Sequence, residues 1–135
     1  MAIRNQTGFA VFDYDFFTWL GSLTGLNNTS MYMYLSNDYD MLRMTGYLID
    51  PATTGIPLNA GWNWIRYIPN YALPVNVALE SVKAKNGDLI KGQTSAAQYL
   101  NPDDGWVDNL KFMKTPHGYQ LRVSDTRYSD LPATG

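Results

Sequence analysis

The stretch QTSAAQYLNPDDGWVDNL, residues 93–110, echoes QTGFAVFDYDFFTWLGSL, residues 6–23, and the fold is read outward from that echo. At an offset of 87, residues 3–38 align with 90–125 without a gap and share eight identities in 36 positions. These are Ile3/Ile90, Gln6/Gln93, Thr7/Thr94, Ala10/Ala97, Trp19/Trp106, Leu23/Leu110, Tyr32/Tyr119 and Asp38/Asp125. Chance supplies roughly two, so the chain reads as one structural unit written twice around a unique middle. Large apolar residues shared at a fixed spacing imply shared packing. Trp19 and Trp106 are therefore expected to be buried in equivalent places, with Phe12/Tyr99 and Tyr32/Tyr119 also in the core.

Strands are expected near 8–13, 18–20 and 30–36 in the first copy, and near 88–91, 96–100, 105–108 and 118–123 in the second. Pro, Asp and Gly in NPDDG (101–105) and TPHG (115–118) set the turns between them. In the middle, MLRMTGYLI and GWNWIRYI are rich in branched and aromatic residues and read as further strands. One helix is expected at Val75–Lys83. Pro74 suits its first turn, and Val75, Ala78, Leu79 and Val82 fall at the spacing of a buried stripe. The predicted fold is mainly β (β-rich α+β) with one short helix, arranged as a β-sandwich in a single domain over 1–130.

Composition narrows the function. Ten Lys and Arg against twelve Asp and Glu leave a net charge of −2, which offers no electrostatic footprint for nucleic acid. No apolar run approaches the length needed to cross a membrane as a helix, and the first residues lack the pattern of a signal peptide. The chain has no cysteine, which removes disulfides and thiolate–metal sites. The terminal LPATG, Leu131–Gly135, matches the signal that sortases cleave and reads as an appended ligation handle outside the fold.

The run GWNWIRYIPNYALPVNVALESV, followed by NGDLIKGQTSAAQYL, NPDDGWVDNL and TPHGYQL, resembles a repeat of large bacterial extracellular proteins, especially those exported by type IX secretion. The likeness covers residues 56–123 well and 3–35 more loosely. It departs from the family pattern at Arg66 and Asp108, where glycine is usual, although Gly21 keeps that glycine in the first copy. The resemblance implies a non-catalytic module at the cell surface or in the medium, beside other domains of a larger protein. It assigns no ligand.

No catalytic constellation emerges from the residues. His117 is the one histidine and sits in a turn, and the pairs Asp13/Asp15, Asp38/Asp40 and Asp103/Asp104 have no apolar pocket implied around them to separate their acidities. No phosphate-binding glycine motif occurs. Asp103, Asp104 and Asp108 are the candidate ligands for a calcium ion, since a hard cation takes several oxygens from one tight loop, though a plain Asp-Asp-Gly turn competes with that reading. No other cofactor is expected. Aromatic richness suits a sugar or protein ligand, because pyranose rings stack on aromatic faces. The candidate ligand-binding residues are Tyr14, Phe16 and Phe17, which break the repeat where the second copy carries Asn101, Asp103 and Asp104, together with Trp64 and Tyr67 of GWNWIRY. An apolar turn either packs on a neighbour or meets a partner, and internal cover is the expectation favoured here. The functional expectation is an extracellular module that binds carbohydrate or a surface protein and makes no chemical change. The alternative is a structural spacer repeat of a cell-surface adhesin.

Overall fold

A computed structural model describes residues 1–27, 29–36, 55–69, 71–114 and 117–130, the last four as backbone only. The strand expected in MLRMTGYLI and the terminal LPATG lie outside the described residues. The first copy forms an antiparallel sheet from β1 (Ala2–Arg4), β2 (Phe9–Asp13), β3 (Thr18–Gly21) and β4 (Met33–Leu35), in the order β3-β2-β1-β4. After β5 (Gly55–Leu58), β6 (Gly61–Arg66) and β7 (Leu73–Pro74) come a short helix α1 (Val75–Ala78) and a 3-10 turn (Glu80–Val82). The second copy then supplies β8 (Leu89–Lys91), β9 (Ala96–Tyr99), β10 (Trp106–Val107), β11 (Phe112–Met113) and β12 (Gly118–Val123), and β13 (Arg127–Asp130) follows. The larger sheet runs β10-β9-β8-β12-β6, and two ribbons, β11-β7 and β13-β5, complete the β-rich fold.

The two sheets repeat one another in order and in register. Ile3 faces Ala10 and Tyr34, and 87 residues on, Ile90 faces Ala97 and Leu121. Phe12 faces Trp19 as Tyr99 faces Trp106, and each pair meets edge to face at an interplanar angle of 65°. A one-residue slip would have turned every side chain to the opposite face, so the agreement extends to which residues point inward.

Burial does not repeat. Trp106 is 6% exposed but Trp19 is 43% exposed, which corrects the expectation that both would be buried. The reason lies in what covers each sheet. The inward face of the larger sheet (Ile90, Ala97, Trp106, Leu121) packs in one core with Ile56, Leu58, Val75, Ala78, Leu79 and Val82. Among the described residues, none before Ile56 belongs to that core. Trp106 gains a further tie, since its backbone N–H donates to the Asn76 side chain at 2.9 Å. The smaller sheet has no counterpart of that helix-bearing layer among the described residues.

The helix is shorter than its sequence promised. Its buried stripe is Val75, Ala78, Leu79 and Val82 as expected, but the α-helix ends at Ala78 and continues only as a 3-10 turn closed by Lys83 at φ 56°. No side chain caps its start, and Val75 and Val77 are β-branched, so packing rather than propensity holds this segment.

Asp108 is the residue most at odds with its backbone. Gly21, its counterpart, has φ 145°, and a Cβ there would strike the Phe9 carbonyl across the ladder. Asp108 takes φ 101° with a side chain attached, a region that favours glycine. Asp108→Gly is therefore expected to stabilise the protein by about 1 kcal/mol and to raise Tm by roughly 3–5 °C. Urea and thermal unfolding check this; a loss of stability would show that the carboxylate offsets the backbone cost.

Candidate functional site

Strand β6 joins the two copies. Along one edge it pairs with β12 over its whole length. Its other edge is held by the first copy: the Gln6 carboxamide donates to the Trp62 carbonyl at 2.5 Å and accepts from the Trp64 N–H at 3.0 Å. Further along, the Met31 N–H donates to the Trp64 carbonyl at 3.3 Å and the Arg66 N–H donates to the Thr29 carbonyl at 3.1 Å. An amide side chain presents the same donor and acceptor as a peptide unit, so Gln6 completes the ladder where backbone is missing.

The side chains of β6 divide by face. Asn63 and Ile65 point into the core. Buried Asn63 is satisfied: its amide nitrogen donates to the carbonyls of Asn59, Gly61 and Leu121, and its oxygen accepts from the Asn59 N–H. On the outer face, Arg4 lies over the Trp64 ring at 5.1 Å and Lys91 over the Trp62 ring at 4.9 Å. Arg4 and Lys91 are themselves equivalent at the offset of 87, so each copy places one cation on one indole of β6.

A second surface lies at the β2–β3 turn. Asp13 accepts from the N–H groups of Asp15 and Phe16, and the turn closes with Phe17 at φ 52°. In the second copy the same turn is set one residue later in the alignment: Asn101, the counterpart of Tyr14, accepts from the N–H groups of Asp103 and Asp104, and Gly105 takes the left-handed position at φ 66°. A bulky residue in that conformation is costly where glycine is free. Phe16 is 80% and Phe17 78% exposed, which corrects the expectation of internal cover. Tyr14 is also exposed and meets Phe12 edge to face.

Apolar exposure concentrates in this unit. Of fourteen exposed large hydrophobic residues among those described, ten lie between Phe9 and Leu35, so the first copy rather than the domain as a whole carries the apolar surface. Its outer sheet face presents Phe9, Val11, Leu20, Met33 and Leu35, where the second copy has Ala96, Gln98, Val107, Gln120 and Arg122.

The remaining candidates separate. Trp64 is half-buried beneath Arg4, and its neighbour Trp62, which is not among the sequence candidates, is more exposed. Tyr67 is wholly buried and its hydroxyl donates to the Tyr71 carbonyl at 2.7 Å, so it belongs to the core and not to a ligand surface. Asp103 and Asp104 sit in the Asn101 turn, and the Asn101 amide donates to Asp104 at 2.9 Å. With Asp108 they do not converge, and among the described residues no group of three His, Cys, Asp or Glu could hold a metal ion. His117 is exposed in its turn. It borders a cleft of about 730 Å³ between the two copies, lined by Lys91, Gln93 and Gly118 on one side and Met31 and Tyr34 on the other. Comparison with known proteins finds no match to a family model, a curated protein or a solved structure.

Burial has a titration consequence. The Tyr67 phenol is pushed up to about 12, first by desolvation and then by Tyr71 and Tyr119. Burial also raises Tyr119, against a lowering by the Lys114 N–H. The native state thus favours the neutral phenol, and this contribution to stability is complete below pH 10 and lost as pH rises from 10 toward about 12. Urea unfolding on either side of pH 10 should show wild-type stability falling, with a shallower fall in Tyr67→Phe. Equal falls in the two proteins would place the titration elsewhere.

Proposed function

We propose that the chain is a non-catalytic adhesive module of a bacterial extracellular or cell-surface protein, and that it meets its ligand through the aromatic turn Tyr14–Phe17. The observation that carries this reading is the exposure of Phe16 and Phe17 on a turn whose backbone is itself costly at Phe17. A turn under no functional demand is better served by the Asp-Asp-Gly solution of the second copy. Carbohydrate is the favoured ligand class. The phenyl faces suit the C–H side of a pyranose, and Asp15 beside them supplies a carboxylate for a sugar hydroxyl.

A structural spacer repeat is the second reading, and the contact of the first copy with the edge of β6 favours it, because consecutive units then bond end to end. A glycan array with wild type and the double variant Phe16→Ser, Phe17→Ser separates them. The adhesive reading expects glycan binding by wild type, its loss in the variant, and unchanged melting of the variant. Wild type that binds no glycan, or a variant that loses several degrees of Tm while keeping its binding, would overturn it.

A further inference from the structure

The device that holds β6 is written twice in the chain and occupied once. Continuing the β1–β4 register two residues past Arg4↔Met33 sets Gln6 opposite Met31, and these two residues take the outer edge of β6 between Trp62 and Trp64. Continuing the β8–β12 register past Lys91↔Gln120 sets Gln93 opposite Gly118. Gln93 and Gly118 are the counterparts of Gln6 and Met31 at the offset of 87, and the glutamine is one of the eight identities. Yet Gln93 is exposed, and its side chain makes no hydrogen bond among the described residues. The cleft of about 730 Å³ borders Gln93, His117 and Gly118 on one side, and on the other the first copy, whose Met31 side chain packs against Gly118.

We propose that Gln93 and the backbone at Gly118 form a strand-docking site, and that its occupant is an extended segment with the chemistry of Gly61–Arg66 carried by a separate polypeptide. Recognition by a carboxamide and a backbone edge reads main chain, as in other cases where a peptide adds a strand to a sheet. Selectivity comes from the cation position. Arg4 lies over Trp64 in the occupied site, and Lys91 is its counterpart in the open one. Lys91 already lies over Trp62, so an arriving indole shares that ammonium or draws it away from Trp62. The β6 strand of a second folded copy does not fit, because β12 and the first unit already hold both its edges. The proposal is independent of the aromatic turn and of any sugar.

The test is a fluorescently labelled peptide of residues 59–68, NAGWNWIRYI, titrated with the full chain and followed by anisotropy. Saturable binding is expected, weakened about tenfold or more in Gln93→Leu at unaltered melting temperature, as the loss of two hydrogen bonds implies. Gln6→Leu and the double variant Phe16→Ser, Phe17→Ser should bind as wild type does, which separates this site from the aromatic turn. Absent saturation, undiminished binding to Gln93→Leu, or a loss that follows Gln6 instead, as when the peptide displaces β6, would each overturn the proposal.

Discussion

The outer edge of β6 is the constraint on which the rest of the structure depends. A strand pairs on two edges, and an unpaired edge away from water costs the hydrogen bonds it fails to make. Here one edge belongs to β12, and the other is divided between the Gln6 side chain and the backbone at Thr29 and Met31. That division makes one molecule out of two sheets. Among the described residues, the core places all its buried apolar side chains on the second copy and the middle segment, and none of them on the first copy. Polar pairing across a strand edge, reinforced by Arg4 on Trp64, takes over where hydrophobic burial stops.

The same division explains why two units with one register differ so much in surface. Strand pairing depends on local pattern, and both copies have it. Cover depends on what lies above the sheet, and only the second copy receives α1, the 3-10 turn and β5. Trp19 and Trp106 therefore make the same contact with their strand partners but differ in burial. The first copy keeps apolar side chains on both faces and at the turn, whereas the second has exchanged its outer apolar residues for Gln98, Gln120 and Arg122. A surface of that kind is what the proposed adhesive reading draws on.

Much of the fold was legible in the sequence because strand pattern and repetition are local signals. β9, β12 and the β6 motif lie where alternation and turn residues put them, and the buried stripe of Val75, Ala78, Leu79 and Val82 is read from spacing alone. β1 was not among the expected strands, although Ile3/Ile90 pairs it with the strand expected at 88–91. What stayed hidden was long-range. Nothing near Trp19 reveals that it stays exposed where Trp106 is covered, and nothing near Gln6 reveals a partner 56 residues away. Gln6/Gln93 was the available sign: a polar identity among mostly apolar ones has no packing reason to recur. Of the candidate residues, Tyr14, Phe16 and Phe17 were singled out by their break from the repeat and are exposed, while Tyr67 is buried, because an aromatic beside Trp64 looks the same in sequence whether it faces the core or solvent.

The central claim is that a glutamine side chain completes the edge of β6. Amide hydrogen exchange of the native protein tests it most directly, residue by residue. The Trp64 amide, which donates to Gln6, should be protected comparably to Ile65, which pairs with Tyr119 in β12. In Gln6→Leu, Trp64 should lose that protection while Ile65 keeps it. A Trp64 amide that exchanges in wild type as fast as an open edge, or that is indifferent to Gln6→Leu, would contradict the account.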